Sequence, residues 1–188
     1  MSSIGTPLAP SAWAQTLRQL YVVRFVFALA WAVLLWTTAT TVGPWLTPLL
    51  VVYPLFDAAA VAWQLRTDDS HEATMSQRLN VVVSVLVAIA LGWASTVSIA
   101  AALIVWGAWA VGAGIPQLLT AIRNRRTGGQ VPQMLSGGIS VLAGLAFLTQ
   151  GIRGAENIGM VGDYATVGGV FFLISAIRLS LMLRKPAA

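Results

Sequence analysis

Residues 20–65 read LYVVRFVFALAWAVLLWTTATTVGPWLTPLLVVYPLFDAAAVAWQL. Two apolar runs flank a turn marked by Gly43, Pro44 and Pro48, and the only charges in the stretch are Arg24 and Asp57. Each run approaches the ~20 residues that a helix needs to cross a bilayer core. The stretch therefore reads as a helical hairpin through a membrane, with span one over 20–40 and span two over 45–65.

Outward from this hairpin the pattern recurs. Span three is expected over 77–94, span four over 97–122, span five over 131–150 and span six over 164–183. A polar loop containing Asp68, Asp69, His71 and Glu72 precedes span three, and Thr74 with Gln77 has the form of a capping box. Gly128 and Gly129 make the turn into span five, whose first turn suits Pro132. The loop 151–162 is glycine-rich, and Asp163 is expected to cap span six. Ahead of span one, residues 1–19 read as a polar tail and a short interfacial helix. Ser11 caps that helix, with Trp13, Leu17 and Leu20 on one face. The first apolar stretch carries Arg24 and no cleavage motif, so it reads as a retained helix. The expected fold is all-α: residues 20–185 form a single six-span domain, an integral membrane six-helix bundle built from three helical hairpins.

Composition agrees. Hydrophobic residues make up 57% of the 188-residue chain and charged residues 9%, where soluble domains carry about 25% charged residues. A water-facing surface cannot be covered with so little charge. The basic residues are also one-sided. Arg18, Arg66, Arg78, Arg123, Arg125, Arg126, Arg184 and Lys185 flank the spans at one face, and only Arg153 lies at the other. By the positive-inside rule, both termini are expected in the cytoplasm, with the chain in the cell (inner or plasma) membrane. The net charge of +5 then reflects orientation and affinity for anionic lipid at the cytoplasmic face, not nucleic-acid binding. Trp36, Trp45 and Trp93 fall near the outer interface, and Trp13 and Trp63 near the inner one.

The second helix of each hairpin carries a related stretch: Ala58-Ala59-Ala60-Val61, Gly112-Ala113-Gly114-Ile115 and Ile174-Ser175-Ala176-Ile177. Small residues let membrane helices approach closely. Ala59, Gly112 and Gly114 are the packing candidates here, joined in span five by Ser136, Ser140 and Gly144 at four-residue spacing. Such faces also suit a second copy or another membrane protein.

In order and spacing, several segments resemble the HdeD-like family of small multi-pass membrane proteins. They are YVVRFVFALAWAVLL with Arg24, VVYPLFDAAAVA with Asp57, VWGAWAVGAGIPQLL, LSGGISVLAGLAF and GDYATVGGVFFLISAIRL, covering most of residues 20–183. The resemblance implies a non-enzymatic role supporting the envelope or tolerance of acid stress. The lone histidine, His71, falls on the cytoplasmic side in this topology, so no outward histidine serves as a proton switch.

Three ionisable residues fall within the spans: Arg24, Asp57 and Arg178. Their distances from the inner ends of their helices correspond to depths of roughly 9, 12 and 9 Å. Intramembrane charges cost roughly 2.5–3.5 kcal/mol each on the lenient scale, so each needs a reason. One reading places all three in a cluster with Gln117, holding an anion or a lipid phosphate. A second leaves Arg24–Asp57 as an ion pair locking the first hairpin, with arginines reaching for headgroups. A third is a small transporter or channel, with Pro54 and Pro116 breaking spans two and four. Trp31, Trp106 and Trp109 are expected to pack helices rather than to hold a cofactor.

Other chemistry lacks support. There is no cysteine, which excludes thiolate metal sites and thiol nucleophiles. The acids around His71 lack metal-site spacing, and Glu156 has no carboxylate partner close in sequence for acid–base work. No catalytic residue, metal site or cofactor is expected.

Overall fold

The computed structural model describes residues 10–67, 75–125 and 130–184. They form six helices: α1 (Pro10–Thr38), α2 (Leu46–Thr67), α3 (Met75–Val97), α4 (Ile99–Arg123), α5 (Gln130–Ile152) and α6 (Gly159–Leu183). All six contain a segment long and apolar enough to cross a membrane. The protein is an all-α, multi-pass bundle whose two ends emerge on the same side. That side, where α1 begins and α6 ends, carries Arg18, Arg66, Arg78, Arg123, Arg125 and Arg184 and is the basic end. The opposite side, with the connections 39–45, Ser98 and 153–158, is the turn end.

Two helix starts differ from expectation. α1 begins at Pro10 and runs unbroken to Thr38. The interfacial helix and span one are one element, and Ser11 lies within it. α6 begins at Gly159, four residues before Asp163, which is exposed within the helix and caps nothing. Asn157 starts it: its Oδ1 accepts from the Gly159 N–H at 2.7 Å. Two bonds anchor this start to the end of α1 and the turn after it: the Ile158 N–H donates to Thr40 O at 2.9 Å, and Trp36 Nε1 donates to Gly159 O at 3.0 Å. Pro54 and Pro116 do not break their helices; α2 and α4 continue through them. The Thr74 capping box and the Asp68–Glu72 loop lie outside the described residues.

The chain is connected as three hairpins at the turn end, but its closest packing is offset by one helix. The most extensive contacts are α4 with α5, α1 with α6, and α2 with α3. Contacts α1–α2, α3–α4 and α5–α6 are slighter and close the ring. Small residues explain the first two pairs. On α5, Gly137, Gly144 and Gly151 recur every seven residues; across from them α4 presents Gly114, Gly107 and Ala100, stepping the opposite way. A methyl group added to Gly107 would lie 2.7 Å from the Gly144 carbonyl, and one on Gly137 would lie 2.9 Å from the Leu118 nitrogen. The backbones touch, so dispersion and weak Cα–H···O contacts take the place of side-chain packing. On α6 the buried residues Gly162, Gly169 and Ala176 share the seven-residue step and face α1 through Trp36 and Ala28. The α2–α3 pair relies on hydrogen bonds, including Thr47 to Ser95 at 2.8 Å.

The apolar core fills the turn-end half. Trp31 and Leu35 of α1, Leu50 of α2, Leu91 of α3, Leu103 and Trp106 of α4, Phe147 of α5 and Val161 of α6 are all buried there. As expected, Trp31 and Trp106 pack helices, with ring centroids 5.6 Å apart. Toward the basic end, α3 and α4 part. A single residue, Ser98, joins them. It is extended (φ −169°, ψ 162°) and its Oγ accepts from the Ala101 N–H at 3.0 Å. So abrupt a turn holds the two helices together at that end only.

Candidate intramembrane polar site

The site stands on four helices in the basic half of the bundle. Arg24 of α1 reaches Asp57 of α2, with Nη2 to Oδ1 at 3.5 Å. Asp57 Oδ2 accepts from Asn80 Nδ2 at 2.9 Å and from Ser84 Oγ at 3.0 Å, both on α3. From α6, the Phe172 ring covers the Arg24 guanidinium, 5.1 Å from ring centroid to Cζ. The arginine side chain is 12% exposed and the aspartate 24%. Removed from water, the carboxylate is held by one cation and two neutral donors, and the cation by one anion and a π face. A buried pair needs this surrounding shell, because Coulomb attraction alone rarely offsets desolvation.

Both hydrogen bonds to Asp57 fall on Oδ2, and the Arg24 contact to Oδ1 is an ion pair without one. Arg24 Nε and Nη2 are buried with no hydrogen-bond acceptor among the described residues. Beside them is a cavity of about 50 Å3, lined by Arg24, Phe27, Tyr53, Phe56, Asp57 and Phe172. Its size is that of a water site, which needs only ~10–15 Å3 of probe volume and a few polar partners.

Of the four residues anticipated for a cluster, the structure joins two. Arg24 and Asp57 meet. Arg178 is exposed on α6 and makes no ion pair among the described residues. It follows the buried Ala176 by two positions, which turns it ~200° away on the helix. Gln117 lies apart on α4, where its Nε2 donates to the Gln133 carbonyl of α5 at 3.4 Å, a long bond. The residues not anticipated are Asn80, Ser84 and Phe172. Asn80 and Ser84 stand four apart in an otherwise apolar stretch of α3. That spacing puts two polar side chains on one face and is the signal by which sequence reveals them.

The packing candidates divide similarly. Gly114, Ser140 and Gly144 are buried in helix contacts, and Ser140 Oγ also pairs with the Tyr164 hydroxyl of α6 at 2.9 Å. Ser136 is only partly buried; the seam follows the seven-residue glycine step, not four-residue spacing. Ala59 is exposed, and Gly112 has nothing within 4 Å of its Cβ position. Neither is a close-packing position of the kind expected.

Gly112 instead lines a large cleft of about 840 Å3 between α3 and α4. Asn80, Val83 and Val87 form part of one wall; Ala108, Trp109, Gly112 and Gln117 form part of the other. Asn80 thus belongs to both places: its amide donates to Asp57 and the residue forms part of the cleft wall. Trp109 connects the cleft to the buried aromatic group, 5.6 Å from Trp106.

No group of three or more histidine and acidic residues capable of holding a metal occurs among the described residues. Compared with protein-family models, curated proteins and solved structures, the chain matches none.

Proposed function

We propose that this chain is a non-enzymatic multi-pass membrane protein of the HdeD-like type, with both ends in the cytoplasm, that supports the cell envelope under acid stress. The type and the stress role rest on the motif resemblance. The orientation rests on six arginines at the basic end of the described bundle.

One observation carries the non-enzymatic reading. Both oxygens of Asp57 are engaged in holding helices together, Oδ1 by Arg24 and Oδ2 by Asn80 and Ser84. A carboxylate so engaged acts as a clamp between α1, α2 and α3. Catalytic acids are typically poised toward a substrate cleft, and this one faces a cavity of about 50 Å3.

The test is reconstitution of the purified chain and its Asp57→Asn variant in proteoliposomes, with folded yield and proton or anion flux measured together. A clamp predicts lower folded yield for the variant and no flux for either protein. A flux in the parent that vanishes in a well-folded Asp57→Asn variant would establish a transporter instead. Survival of cells lacking the gene after acid challenge tests the stress role separately: it should fall, and unchanged survival would remove that part of the reading.

A further inference from the structure

We infer that the α3–α4 cleft holds one anionic phospholipid, its acyl chains between the two helices and its headgroup at the basic end. This inference stands independently of the stress role.

Its starting point is volume. The cleft measures about 840 Å3, within the ~300–1,000 Å3 range of small-molecule sites. It lies between two helices that both qualify as membrane spans, so lipid is the surrounding medium. Water gains few hydrogen bonds against walls of Leu79, Val83, Val87, Ile104 and Ala108, whereas the acyl chains around the spans match them. Hydrocarbon is the occupant that surface favours.

Polarity sets the direction. The lining's two side-chain amides, Asn80 and Gln117, occur at one level. Asn80 stands seventeen residues from the end of α3 at Val97, and Gln117 eighteen from the start of α4 at Ile99; at 1.5 Å per residue both lie roughly 26 Å from the turn end. Arg123 follows Pro116 by seven residues, two turns along the same face of α4, and is exposed at the basic end. An amphipath is matched in order: apolar chains in the cleft, ester oxygens at the amides, a phosphate at the guanidinium. Asn80 is already held in place by Asp57. The α4 wall is cut back to leave the space, since Gly112 would carry a side chain into nothing.

The experiment uses the full chain, stripped of lipid and reloaded from micelles of phosphatidylglycerol or phosphatidylcholine, with retained lipid read by native mass spectrometry. One phosphatidylglycerol per chain should survive activation that removes phosphatidylcholine. Gly112→Phe, which puts a ring into the cleft from the α4 wall, should lose that lipid while keeping its circular dichroism and monodisperse elution. Arg123→Gln should keep a lipid but lose about fivefold of the preference for phosphatidylglycerol, the worth of one basic side chain at an anionic surface. If Gly112→Phe does not fold, Ala108→Leu narrows the same wall and gives the same reading. Equal retention of both lipids by the parent, undiminished retention in a folded cleft-narrowing variant, or a second copy that leaves when the cleft is narrowed would each overturn the inference.

Discussion

Helix α4 meets its two neighbours in opposite ways. Toward α5 it is closed, with Gly107 and Gly114 against Gly144 and Gly137 so tightly that an added methyl group would lie 2.7–2.9 Å from the neighbouring backbone. Toward α3 it is open over a cleft of about 840 Å3. The covalent connections run against this: one residue joins α3 to α4, while residues 124–129 separate α4 from α5. A short connection therefore fixes only the point where two helices meet. Contact along their length depends on which residues recur at the interface, and here a seven-residue glycine step decides it.

The largest test of this contrast removes what holds the far wall of the cleft. Asp57 fixes α3 through Asn80 and Ser84. Asp57→Ala leaves the Arg24 guanidinium buried without its anion, which should destabilise the bundle by about 3–5 kcal/mol. Thermal unfolding in detergent measures it, and Asp57→Asn should recover part of the loss by keeping an acceptor for Ser84.

Next in size is a break on the closed side. Gly144→Leu forces a branched side chain against Val111 and the Gly107 carbonyl and should cost about 1–3 kcal/mol or more in the same assay. The matched change on the open side, Gly112→Leu, should cost nothing measurable. Equal losses at the two positions would erase the contrast.

A smaller effect belongs to the turn. Ser98→Ala removes the cap at Ala101 and should cost about 1 kcal/mol. Because Ser98 joins the two cleft walls, lipid retention read alongside stability shows whether cap and cleft are coupled.

The smallest has the opposite sign. Gly112→Ala places a methyl group in open space within a helix and should stabilise by about 0.5–1 kcal/mol, since glycine is the costlier helix residue. A loss at this position would mean that α3 lies closer than the cleft allows.

How much of this was legible follows from what sequence encodes. Six spans, the one-sided arginines and the Arg24–Asp57 pair came from length, hydropathy and depth along each helix, which are axial quantities. Rotation about each axis was not assigned. Arg178 shares a depth with Arg24 but points away from it, as the buried series Gly162, Gly169 and Ala176 on the same helix would have indicated. Gly112 and Gly114 differ by two positions and so face opposite sides of α4, one to the cleft and one to α5. Asn80 and Ser84 are visible as a polar pair at helical spacing once Asp57 needs partners. The start of α6 is ambiguous in sequence because Asp163 and Asn157 are equally good caps by residue type, and only the bond from Gly159 to Asn157 decides between them. The cleft itself depends on how far two helices diverge from Ser98, and no local pattern encodes that angle.

Because the chain contains no cysteine, introduced pairs report without background. Gly114→Cys with Ser140→Cys spans the closed seam, where the Cβ positions lie 2.9 Å apart and a small shift reaches disulfide range, ~3.5–4.5 Å. Val83→Cys with Ala108→Cys spans the cleft, one residue on each wall. In native membranes under mild oxidation, the seam pair should close to a disulfide and the cleft pair should stay reduced. A cleft pair that closes as readily as the seam pair would contradict the account.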